Sequence, residues 1–208
     1  MGAMREISPA KNLSAEEYVA RFLAPQFRPL VRNIRAQKEA GQRPRPSTGL
    51  VDRSALLTPE RRRQIVDAVA ELVDENVTGR GDMCLQFAML LQRGLAHLGL
   101  PARLVLGNAI SVGDREVFRW RHAWVRVGPE VVDGNVDAVV ESPAVPREAV
   151  AVVAAPYWGP VTETPPGRRL QEHHGEQPPA DEDVEVTWSP DLRARLDAMM
   201  AEARAVDH

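Results

Sequence analysis

The first clear helical spacing of apolar residues is at Tyr18, Val19, Phe22 and Leu23, behind Ser14-Ala15-Glu16-Glu17, which has capping-box spacing. That short helix stops before Pro25, and residues 28–50 mix basic and apolar groups in a way that predicts an irregular connection. Thr58-Pro59 opens a second helix, with Thr as N-cap and Pro where its missing N–H costs nothing. Ile65, Val69, Leu72, Val73 and Asn76 then mark one buried face. Gly79-Arg80-Gly81 breaks the pattern. From Cys84 to Leu98 apolar residues cover most of the helical circumference, which predicts a central helix covered on several sides. Gly99 and Pro101 end it.

Beyond that point the period changes. Arg103 to Gly107 reads as a buried strand, and Phe118, Trp120, His122 and Trp124 alternate with Arg119, Arg121 and Ala123 as a second. Gly128-Pro129 turns the chain and Glu130-Val131-Val132-Asp133 returns. Further β-like runs are expected at Val139-Val140 and from Val150 to Val153. Residues 160–182, rich in Pro, Gly, Gln and acids, read as a flexible surface loop. Val184, Val186 and Trp188 suggest a last strand over 183–188, and Ser189-Pro190 opens a C-terminal helix carrying Leu192, Leu196, Met199, Met200 and Ala203. The organisation expected is α+β. Residues 1–57 form an N-terminal extension with a short helix, residues 58–159 a core, and residues 160–208 a polar loop, strand and helix that pack on that core.

Composition narrows the function more than the fold. The 208 residues carry a net charge of −3, without the basic face of a nucleic-acid binder. No apolar run approaches the roughly 20 residues of a membrane helix. Met1-Gly2-Ala3 reads as an added leader, with Met4 the natural start, and no signal-peptide core follows. A single cysteine rules out an intrachain disulfide, so a cytoplasmic location is expected.

That cysteine carries the candidate chemistry. A lone cysteine in an apolar helix is most often a small buried hydrophobe. Cys84, however, stands in the first turn of its helix, where the positive end of the dipole favours a thiolate and free N–H groups can receive an oxyanion. With His122 on one strand and Asp133 on the next, the chain holds the thiol, imidazole and carboxylate of a cysteine nucleophile. A two- or four-residue loop at Gly128-Pro129 makes facing positions sum to 257, so Trp124 faces Asp133 and His122 faces Asn135. His122 and Asp133 then share a sheet face as diagonal neighbours. A three-residue loop would separate them. Asn135 is the rival orienter and, with Trp120 and Trp124, a candidate substrate contact. His97 and His173-His174 lack metal-ligand spacing, so neither metal nor cofactor is expected.

Four motifs in order resemble the transglutaminase-like superfamily, relatives of the papain-like fold. They are Cys84-Leu85-Gln86-Phe87-Ala88, the run from Leu95 to Val105, His122-Ala123-Trp124 and Val131-Val132-Asp133. The resemblance implies an α+β core with the nucleophile helix packed on an antiparallel sheet. It assigns Cys84 as nucleophile, His122 as base and acid, and Asp133 as orienter, acting on amide or thioester carbonyls. All four tryptophans lie downstream of Cys84, unlike many animal transglutaminases, and no calcium-type acidic loop appears. Small leader peptidases of the superfamily are nearer in size. The function expected is a cysteine peptidase, amidase or acyltransferase on a peptide or amide/thioester-bearing substrate, without nucleic-acid or membrane partners. The alternative is a non-catalytic peptide-binding module of the same fold.

Overall fold

The computed structural model describes residues 36–37, 40, 45–77, 79–112, 116–141, 155–163 and 165–206. The short helix expected at 14–24 and the run 150–153 lie outside these residues.

A 3-10 turn at Pro46–Gly49 leads into strand β1 (Val51–Asp52), followed by helices α1 (Pro59–Asn76) and α2 (Cys84–His97). Thr58 caps α1 as its sequence implies, accepting from the Arg61 N–H at 3.3 Å. Strands β2 (Ala102–Val112), β3 (Glu116–Val127) and β4 (Glu130–Asp133) come next, then a 3-10 turn, Val136–Glu141. Strands β5 (Tyr157–Pro160) and β6 (Arg168–Glu172) and helix α3 (Ser189–Val206) complete the chain.

The six strands form one sheet in the order β1-β5-β4-β3-β2-β6. It is antiparallel throughout except that β1 joins β5 in parallel. The sheet is therefore mixed, and it reaches back into the segment set apart as an N-terminal extension. Its two faces are read from the pleat. Ala123, Val125, Val127 and Val132 point to the helices and join α1, α2 and α3 in the main core. Val105, Trp124, Val131 and Tyr157 form a smaller cluster on the other face.

Helix α2 is the central one: Phe87, Leu90, Leu91 and Leu95 are fully buried, each contributing ~1.5–3 kcal/mol. It packs on β2 and β3 on one side and on α1 and α3 on the others. Gly94 permits the close approach of α3, since a Cβ there would lie 3.2 Å from side-chain carbons of Leu192 and Leu196.

Three expectations are corrected. Residues 183–188 are no strand: Val184–Trp188 is a π-helical turn running into α3. Val184 and Trp188 are buried while Val186 is 68% exposed, so the spacing that matters is four rather than two. Val139 and Val140 lie in the 3-10 turn, where Asn135 O accepts from the Ala138 N–H. The segment 160–182 is no continuous loop, because Arg168–Glu172 is the edge strand β6, paired with β2. The chain then runs exposed to Asp181, which is held at 3.0 Å by Gln86 Nε2.

Candidate active site

The approach to Cys84 is shaped by backbone and by one buried cation. Gly79 (φ 93°) and Asp82 (φ 60°) take left-handed conformations, which Gly and Asp tolerate better than other residues. Between them Arg80 is buried, with a two-pronged contact to Asp137 at 2.7 and 3.0 Å. The Arg80 and Gly81 N–H groups donate to Glu141 at 2.7 and 2.9 Å. The segment following Asp133 thus clamps the one that precedes Cys84. The N-cap residue Met83 gives the first turn of α2 no side-chain cap.

The β3–β4 turn has two residues, Gly128 and Pro129, and the register is Val125↔Val132, Arg126↔Val131, Val127↔Glu130. These pairs sum to 257. His122 and Asp133 accordingly share the face away from the helices, and His122 Nε2 lies 2.8 Å from Asp133 Oδ1, both residues buried. Cys84, at the start of α2, is partly buried and close enough to His122 for each to alter the other's protonation. Because Nε2 is engaged, Nδ1 is the nitrogen left for sulfur. It is buried and makes no hydrogen bond.

The electrostatics follow from these contacts. Burial opposes charge on the His122 ring, but the Asp133 carboxylate and the neighbouring thiol outweigh it and push its pKa up to about 10. Asp133 is likewise opposed by burial, yet Arg168 and His122 bring it down to about 2. Burial raises the Cys84 thiol, but its contact with His122 and the Ala123 backbone lower it further, leaving it below its ordinary value. Each shift favours the charged form of its group: thiolate at Cys84, imidazolium at His122 and carboxylate at Asp133.

Arg168 was not singled out in the sequence. It is fully buried, its Nε donates to Asp133 Oδ2 at 2.8 Å, and its Nη1 donates to the carbonyls of Ala155 and Pro166. Its strand is separated from β4 by β3 and β2, so the sheet curls enough to carry this side chain across. The alternation of Arg168 and Leu170 with the exposed Arg169 and Gln171 was the available signal, hidden by the Pro/Gly-rich surroundings.

The remaining candidates separate. Trp120 and Trp124 flank the His122 ring, with centroids 5.9 and 6.2 Å away. Trp124 is buried and Trp120 partly exposed, stacked on Phe118 at 5.6 Å. Asn135 engages Arg80 at both ends of its amide, accepting from Nη1 at 3.3 Å and donating to the Arg80 carbonyl at 3.1 Å. A cavity of about 180 Å³ lies against Trp124, Val131 and Leu170, and neither Cys84 nor His122 lines it. His97 pairs with Asp197, and His173 with Asn108 and Glu176. Among the described residues no cluster of three or more His, Cys, Asp or Glu is arranged to hold a metal ion. Nor is any helix among them long and apolar enough to cross a membrane.

A central helix with a thiol at its start thus packs on a curled mixed sheet that carries an imidazole–carboxylate pair. The chain belongs to the transglutaminase-like superfamily, whose family model matches residues 21–142. That span contains Cys84, His122 and Asp133 and ends before Arg168. No curated protein and no solved structure matches the chain.

Proposed function

We propose that this protein is a cysteine-dependent hydrolase or acyltransferase for a peptide-like substrate, acting on an amide or thioester carbonyl through Cys84, His122 and Asp133. The observation that carries the reading is the 2.8 Å contact between His122 and Asp133, with Cys84 close enough to the imidazole for each to alter the other's protonation.

The cycle follows from that arrangement. The Cys84 thiolate attacks the carbonyl carbon, and the negative charge moves to oxygen within reach of the first-turn N–H groups of α2. As the tetrahedral intermediate collapses, the C–N bond breaks and the imidazolium gives its Nδ1 proton to the departing amine. A thioester remains. His122, now neutral, takes a proton from water or from a second amine, whose lone pair attacks the thioester carbonyl. The C–S bond breaks, and the thiolate–imidazolium pair is restored. Asp133 keeps the ring turned and its second proton on Nε2 throughout. Trp120, half-exposed beside the ring, suits contact with the substrate chain. Such a nucleophile requires reducing conditions, which fits a cytoplasmic location.

Limiting iodoacetamide, followed by mass spectrometry, tests the reading without knowledge of the substrate, because the chain has one cysteine. Labelling at pH 6 much faster than a model thiol is expected, and labelling no faster would refute the activated nucleophile. Cys84→Ala separates enzyme from binding module, since a binder keeps its biological effect with that substitution.

A further inference from the structure

The buried groups gathered around Asp133 include one that the nucleophile, base and orienter do not account for. Asp133 is met by His122 from β3 on one carboxylate oxygen and by Arg168 from β6 on the other, each at 2.8 Å. Its cross-strand neighbour on β5 is Tyr157, whose phenol burial and nearby carboxylates keep protonated. Cys84 lies close enough to His122 for each to alter the other's protonation. The ionisable groups in mutual contact are therefore two potential anions, Cys84 and Asp133, and two cations, His122 and Arg168. With all four charged, the set is neutral.

We infer that Arg168 is a positioning residue of this site, its guanidinium balancing and orienting the Asp133 carboxylate so that a thiolate and an imidazolium can coexist in front of it. The inference rests on the proposed function and deepens it. Without Arg168, two buried anions would share a single cation, and desolvation makes an uncompensated charge expensive. Cys84, the less enclosed of the two anions, would then take up the proton. Arg168 lies outside the family-matched span, so this counter-charge comes from the chain's own C-terminal part. Its Nε contact also dictates which carboxylate oxygen faces His122. The two carbonyls that accept from Nη1 hold the guanidinium in place.

The test is the pH dependence of iodoacetamide labelling at Cys84 in four proteins. Arg168→Met should move the acid limb up by about one pH unit or more, a tenfold loss of rate at pH 6. Arg168→Lys, which keeps the charge, should leave the limb near its wild-type position. The double variant Arg168→Met/Asp133→Asn restores the balance of charge and frees an amide carbonyl to face His122, so it should label faster at pH 6 than Arg168→Met alone. A merely structural role would lower the folded fraction without moving the limb. An unmoved limb in Arg168→Met, or a double variant no faster than the single, overturns the inference. Should Arg168→Met fail to fold, a limb in Arg168→Lys displaced by a full unit overturns it, and an unmoved one supports it. If wild type itself labels like a free thiol, the proposed function falls and this inference with it, an outcome distinct from a wild type that is activated and a variant that is unchanged.

Discussion

Replacing Asp133 by Asn alters one atom type and leaves the shape, which makes it the sharpest probe of the site's logic. Both carboxylate oxygens accept: Oδ1 faces His122 Nε2 and Oδ2 faces Arg168 Nε. Arg168 can only donate, so it captures the carbonyl of the new amide. The NH₂ then faces His122, whose Nε2 must become an acceptor, so the ring is left neutral with its one proton on Nδ1, against the sulfur. The ring can no longer take a proton from the thiol. The energetic side follows from linkage. Asp133 sits at about 2 in the folded protein against roughly 3.9 in an unfolded chain. A carboxylate depressed in this way stabilises the fold above pH ~4 and loses that contribution as pH falls toward 2. The shift is worth about 2–3 kcal/mol at pH 7 and about half as much near pH 3. Stranding Arg168 without its counter-ion points the same way. Urea unfolding of wild type and Asp133→Asn at pH 7 and pH 3 should therefore show a loss of about 3 kcal/mol that shrinks with acid. ¹⁵N shifts of the His122 ring should show protons on both nitrogens in wild type and on Nδ1 alone in the variant. A loss under ~1 kcal/mol at pH 7, or a ring still protonated on Nε2, would refute the reasoning.

Two further outcomes follow from the same arrangement. Turnover of any substrate found should be bell-shaped in pH: the acid limb, set by the lowered Cys84 thiol, falls below the ordinary thiol range, and the alkaline limb follows loss of the His122 proton near 10. A single ascending limb near ~8.5, the value of an ordinary thiol, would contradict the ion pair. Gly107→Ala should destabilise the protein by at least ~2 kcal/mol in urea unfolding, because its Cβ would lie 2.1 Å from the Gln171 carbonyl and 2.5 Å from the Trp124 ring. Wild-type stability in that variant would show that β6 does not need the close approach.

The parts legible beforehand were those with a strong period. Ile65, Val69, Leu72 and Val73 mark the buried face of α1, and the all-round apolar surface of α2 marks the central helix. The β3–β4 hairpin was legible at Gly128-Pro129, but its parity stayed open between even and three-residue loops; the two-residue turn of the structure decides which side chains share a face. Val184, Val186 and Trp188 misled because three residues satisfy a period of two as readily as a helical turn with one exposed position. The partition of Asn135 was equally hidden: nothing local says that its amide engages Arg80 rather than His122.

By itself the chain's order of residues determined the central helix, the thiol at its start and the hairpin that carries His122 and Asp133. Those features are local, governed by periodicity, capping and turn length. Only the tertiary structure decided what stands behind the carboxylate and before the thiol. Arg168 reaches Asp133 because the sheet curls, and Arg80 ties the approach to Cys84 onto the turn after β4. Both are buried charges whose partners lie 35 and 57 residues away along the chain. Charge in an interior is tolerated only where an opposite charge arrives, and its arrival depends on how the sheet bends, which no short window of residues encodes.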